Sequence, residues 1–192
     1  MIEGDASMTK NERIDWQHRN KHEIIDELMR LYSKDVFLLA YSYVKDHALA
    51  EDISQEVFLK CYQFLENFRG DSSVKSWIFR ITANTCKNVL RKRRLNVVNI
   101  ASQFLENIRK TESTEDFFVR NQENEALLQT VLSLSQKYRE VIVLYYFHEL
   151  KTEEISDMLR LNHNTVKTRL ARGRSLLKER LEPKKGEMFH ES

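Results

Sequence analysis

At 192 residues and a formal net charge of +2, the chain has room for one or two domains, and any charged binding face must be concentrated rather than diffuse. Four glycines and one proline fall far below the usual share of about one residue in eight, which argues against hairpin-rich β-structure and predicts an all-α chain. No run reaches the roughly 18 apolar residues of a membrane span, so no membrane insertion is expected.

Residues 1–22 are polar and mixed in charge, without the apolar core of a signal peptide; they read as a loosely ordered extension of a cytoplasmic chain. Ile24, Ile25, Leu28, Leu31 and Tyr32 then recur at helical spacing, and the run from Val36 to Val44 predicts a buried helix. Asp46 is a suitable N-cap for the next helix, with Glu51 and Asp52 in or near its first turn. That helix extends to about Phe68. Arg69-Gly70-Asp71-Ser72 forms a loop, and a long helix follows from about Ser73 to Arg94. Cys61 and Cys86 sit in amphipathic patterns without CxxC spacing, as buried reduced thiols would; no metal site and no cofactor are expected.

From Glu106 to Glu125 six acids face three bases, which reads as an acidic linker with partial helix. A second helical block comprises 126–134, 137–148, 152–159 and 162–181. The boundaries are therefore an extension (1–22), a helical domain (23–95), a flexible acidic linker (96–122), a second helical domain (123–182) and a tail (183–192).

The most informative stretch lies between Asp71 and Glu106, where seven basic residues occur and no acid. On a helical wheel Arg80, Asn84, Lys87, Asn88 and Arg91 share a sector of roughly 100°, bordered by Trp77. Arginine and lysine neutralise phosphate, and asparagine amides pair with base edges. A solvated helix face is the alternative, but such faces ordinarily mix glutamate with lysine. The preceding loop, Phe68, Arg69, Gly70, Asp71, Ser72 and Ser73, is either a turn with a helix cap or one wall of a pocket for an unstacked base.

Near the C-terminus Thr152 is placed as an N-cap, Ile155, Met158 and Leu159 face a core, and Arg160-Leu161 makes a turn to a second cap at Asn162. In the following helix Val166, Leu170, Gly173, Leu177 and Leu181 share one face. Asn164, Thr165, Lys167, Thr168, Ala171, Arg172 and Arg174 lie toward the other face or near the helix start. A short helix, a tight turn and a basic helix match a helix-turn-helix, with an ordinary αα-hairpin as the alternative. Arg160 stands where such turns often carry glycine.

The segments Ala50–Arg94 and Lys137–Lys178 together resemble the extracytoplasmic-function sigma factors of bacterial RNA polymerase, over about residues 24–182. The resemblance implies a promoter-recognition subunit without chemistry of its own, serving stress or envelope-response genes. Asp52, Gln55, Glu56 and Phe58 would dock on the clamp of the polymerase's largest subunit. The Phe68–Ser73 loop would capture a base flipped from the minus-10 element, and the strip from Arg80 to Arg91 would read and help melt it. Lys167, Thr168, Ala171 and Arg172 would contact the minus-35 element, Arg172 mainly through phosphate. The segment Tyr138–Phe147 would combine core packing with contact to the flap of the second-largest subunit. The partners implied are core RNA polymerase, promoter DNA and an anti-sigma factor. Competing readings are a stand-alone DNA-binding regulator and an adaptor working through the acidic face at Asp52–Glu56.

Overall fold

The computed structural model describes residues 19–100 and 122–181, so the expectations for residues 1–18, 101–121 and 182–192 lie outside the described residues. Helix α1 spans Lys21–Val44 and is capped by Asn20, whose side-chain oxygen accepts from the His22 N–H at 3.1 Å. The two apolar segments read separately along the sequence thus form one helix of 24 residues. It stops at Lys45, in the left-handed region at φ 55°, whose N–H returns to the Tyr41 carbonyl. Helix α2 spans His47–Phe64, and the Asp46 carboxylate accepts from the Leu49 N–H at 3.0 Å, the cap expected for it. Glu51 and Asp52 fall beyond the first turn, so the helix dipole does not account for them.

After a 3-10 turn at Leu65–Asn67, helix α3 runs Val74–Ile100. Ser73 caps it through its hydroxyl, which accepts from the Ser76 N–H at 3.1 Å. The helix continues past Arg94 because no glycine or proline interrupts 74–100. It therefore runs on into the segment that begins at residue 96.

The second block contains α4 (Gln122–Ser133), α5 (Gln136–Ile142) running into a π-helical turn (Val143–Phe147), α6 (Thr152–Leu159) and α7 (His163–Leu181). Thr152 is the first residue of α6 and not its cap. Lys151 stands at the cap, and its N–H is taken by the Glu154 carboxylate at 2.9 Å; the Thr152 hydroxyl goes to Glu153 instead. Arg160 makes the turn at φ 54°, the conformation a glycine would have adopted without strain. Its N–H reaches the Ser156 carbonyl, and the Ser156 hydroxyl donates to the Leu161 carbonyl at 2.6 Å.

All described elements are helical or turns. Helices α1, α2 and α3 pack as one bundle around Leu28, Leu39, Ile53, Val57, Ile78 and Phe79; α4 to α7 pack around Leu134, Ile142, Leu144, Ile155 and Val166. Burying each such side chain stabilises the fold by about 1.5–3 kcal/mol. The two blocks also pack on each other, α3 against α6 and α1 against α5 and the π turn. Phe79 and His148, both buried, meet edge to face across that seam with centroids 4.5 Å apart. Cys61 and Cys86 are buried free thiols, as expected, and burial pushes both up to about 12.

Candidate nucleic-acid interface

The acid-free strip on α3 divides along its length. Asn84, Asn88 and Arg91 are exposed, with the Arg91 guanidinium donating to the Asn88 carbonyl oxygen at 3.5 Å. Arg80 and Lys87 are half-buried, and Lys87 is turned toward the second block. The Arg80 Nε is buried without a hydrogen-bond partner, and the Lys87 ammonium lies 3.2 Å from the Glu140 carboxylate. The structure brings the five residues to one face, three of them exposed and two partly covered.

The loop before α3 is braced from below. Phe68 packs on Trp77 with ring centroids 5.1 Å apart and a tilt of 50°, so Trp77 supports the loop as well as bordering the strip. Gly70 sits at φ 72°, where a side chain would be strained. Arg69 and Asp71 point outward, while Ser72 is half-buried and Ser73 serves as the cap. An aromatic floor, a glycine turn and exposed polar side chains next to a cationic helix can hold an unstacked base.

On α7, Asn164, Lys167, Thr168, Ala171, Arg172 and Arg174 are exposed, and Thr165 is half-buried. The Asn162 side chain accepts from the Asn164 N–H at 2.8 Å, the cap expected there. His163 bridges the two helices of the motif, with Nε2 2.9 Å from the Thr152 hydroxyl and 3.0 Å from the Glu153 carboxylate. The Glu153 carboxyl is held below the usual range, first by hydrogen bonding to the backbone, then by Thr152 and the His163 and Lys167 charges. Tyr145, Tyr146, Lys167 and Arg174 line a groove beside α7; the tyrosines, expected with the Tyr138–Phe147 core segment, are exposed because the π turn rotates them outward.

On α2, Asp52, Gln55 and Glu56 share an exposed face, with Glu56 held by Lys60 at 2.6 Å. Phe58 does not belong to that face: it is 6% exposed and part of the core. Leu59, 64% exposed, occupies the place given to Phe58. The signal was in the spacing, since 52, 55, 56 and 59 continue one helical stripe whereas 58 falls off it. Among the described residues no cluster of His, Cys, Asp and Glu could hold a metal ion, and no helix is long and apolar enough to cross a membrane.

Residues 28–95 match the family Sigma-70 region 2, and residues 124–177 match Sigma-70, region 4. The RNA polymerase sigma-H factor of Pseudomonas aeruginosa is 32% identical over 173 residues, covering 86% of this chain and 90% of that protein. The ECF RNA polymerase sigma factor SigM of Bacillus subtilis is 30% identical over 158 residues, covering 80% and 93%. Among solved structures, the sigma factor RpoE of Bartonella quintana in complex with the anti-sigma factor NepR superposes with a TM-score of 0.64 at 25% identity, covering 81% of this chain and 95% of that one.

Proposed function

The chain belongs to the extracytoplasmic-function sigma factors, promoter-recognising subunits of bacterial RNA polymerase, and from that premise we propose how its residues divide the work. Helix α7 reads the minus-35 duplex in the major groove: Asn164, Thr165, Lys167, Thr168 and Ala171 approach base edges, and Arg172 and Arg174 approach phosphate. The Phe68–Ser73 loop and the α3 strip take the minus-10 element as a single strand. Asn84 and Asn88 offer amides to bases, while Arg80, Lys87 and Arg91 offer cations to the backbone. Unstacking a base step costs a few kcal/mol, offset by capture of the base and by the phosphate contacts.

Asp52, Gln55, Glu56 and Leu59 form the surface for the polymerase clamp: three polar groups and one exposed aliphatic side chain suit a partner that is partly basic and partly apolar. The exposed end of the π turn, Tyr145 to Phe147, is the contact for the flap. Chemistry is left to the polymerase, so the subunit works wherever that enzyme does, in the cytoplasm, and an anti-sigma factor holds it inactive.

The observation that carries this reading is one chain with two separate exposed polar faces, an amide-bearing strip on α3 and a cationic face on α7. Run-off transcription with core polymerase on a genomic promoter library tests it. Promoter-dependent products that need this subunit are expected; tight site-specific binding by the free protein with no such products would instead mark a stand-alone regulator.

A further inference from the structure

Glu140 is buried at the seam between the two blocks, and both of its carboxylate oxygens are engaged. Oε2 accepts from the Tyr43 hydroxyl of α1 at 2.9 Å and lies 3.2 Å from the Lys87 ammonium of α3. Oε1 accepts from Arg169 of the recognition helix at 3.0 Å. One side chain therefore ties the C-terminal block to two helices of the N-terminal block. Tyr43 is wholly enclosed there; burial, and then the Glu140 charge, keep its hydroxyl protonated well beyond the usual range, so it remains a donor. Two polar contacts also cross the seam: Ser76 of α3 donates to Glu154 of α6 at 3.2 Å, and His148 stands 3.6 Å from Asp35 of α1.

A side of α3 that runs through the buried Ser76, Phe79 and Ala83 reaches the edge of the strip at Lys87, whose side chain is only partly covered. We propose that Glu140 is a latch: in the free subunit its carboxylate takes the place of a DNA phosphate on Lys87 and holds the C-terminal block over that edge of α3. In this closed state the exposed face of α7 remains free to meet duplex DNA, while the Lys87 ammonium is neutralised by Glu140 and withheld from a single strand. Loading onto promoter DNA in the polymerase exchanges Glu140 for phosphate and parts the two blocks. What the closure masks rests on the assignment of the α3 strip to DNA; the closure itself rests on the geometry of Glu140.

The test uses the full-length free protein carrying a donor–acceptor dye pair at Gln63 and Glu179, both exposed, one in each block. Glu140→Gln removes the charge. Because Glu140 also holds Arg169 within its own block, Tyr43→Phe serves as the second variant, cutting only a bond across the seam. Each is expected to shift the closed-to-open ratio about tenfold or more, the effect of losing a hydrogen bond to a charged group, seen as reduced energy transfer. Affinity for a mixed-sequence single-stranded DNA oligonucleotide at low salt should rise by a similar factor. Energy transfer unchanged in both variants would overturn the latch. Reduced transfer with unchanged affinity would overturn the masking. In that case, Asn84→Ala/Asn88→Ala in the opened Glu140→Gln protein separates the causes: unaltered DNA binding there means that the α3 strip is not a DNA surface at all.

Discussion

Gly173 of α7 faces Ile142 of α5 so closely that a Cβ built on the glycine would stand 2.8 Å from Ile142 Cγ1. Helix α7 is thus seated by a contact only glycine permits. Ile142 is 1% exposed and cannot swing away. Gly173→Ala gains about 1 kcal/mol of helix propensity but overpacks the seam by about 1–3 kcal/mol. A net loss of stability is expected in urea denaturation, and the added methyl should cost less in an Ile142→Ala background, which lacks the Cγ1 it would meet.

Phe58 and Leu59 are neighbours in sequence with opposite roles. Phe58→Ala should cost about 3–5 kcal/mol of stability, as truncation of a buried phenylalanine does. Leu59→Ala, at an exposed site, should leave stability within about 0.5 kcal/mol and weaken binding to core polymerase. Thermal melts and co-purification separate the two effects. Equal polymerase binding by Leu59→Ala and the unaltered protein would remove Leu59 from the docking surface.

Asn84 and Asn88 are exposed, so Asn84→Ala/Asn88→Ala should fold normally and still assemble with polymerase. Formation of the open complex, followed by permanganate reactivity of unpaired thymines, should fall about tenfold or more, since a good amide–base pair discriminates by about 1–3 kcal/mol. Unchanged opening would favour the plain solvated-face reading of the strip.

Arg172→Ala should weaken minus-35 binding almost equally across sequences and reduce the slope of log affinity against log salt by about 1. Lys167→Ala, nearer the helix start, should also alter sequence preference. Titrations of promoter duplex at several salt concentrations distinguish a phosphate contact from a base contact.

The thiols of Cys61 and Cys86 are raised from 9.0 to about 12 by burial. At neutral pH both should stay protonated and resist alkylation until the chain unfolds. For an acid raised in the folded state, the folded chain binds more protons than the unfolded one above about pH 9, so stability should fall as pH rises from about 9 toward 12. Alkylation rates in rising urea, and melting temperatures across that pH range, measure both.

Local chemistry was legible in the sequence wherever one residue decides one feature. Asp46 and Asn162 cap as their side chains dictate, Ser73 caps α3, and Arg80, Asn84, Lys87, Asn88 and Arg91 share one face as their spacing requires. These are short-range effects, set by spacing along a helix and by the scarcity of glycine and proline. Tertiary packing decided the rest. The rotation of α2 put Leu59 and not Phe58 on the outer stripe, Glu154 displaced Thr152 from the cap role, and the π turn exposed Tyr145 and Tyr146. Above all, the meeting of Glu140 with Tyr43 and Lys87 joins residues 97 and 53 positions apart. No periodicity encodes such a pairing, because the energy of a buried carboxylate depends on which donors the fold brings within hydrogen-bond reach.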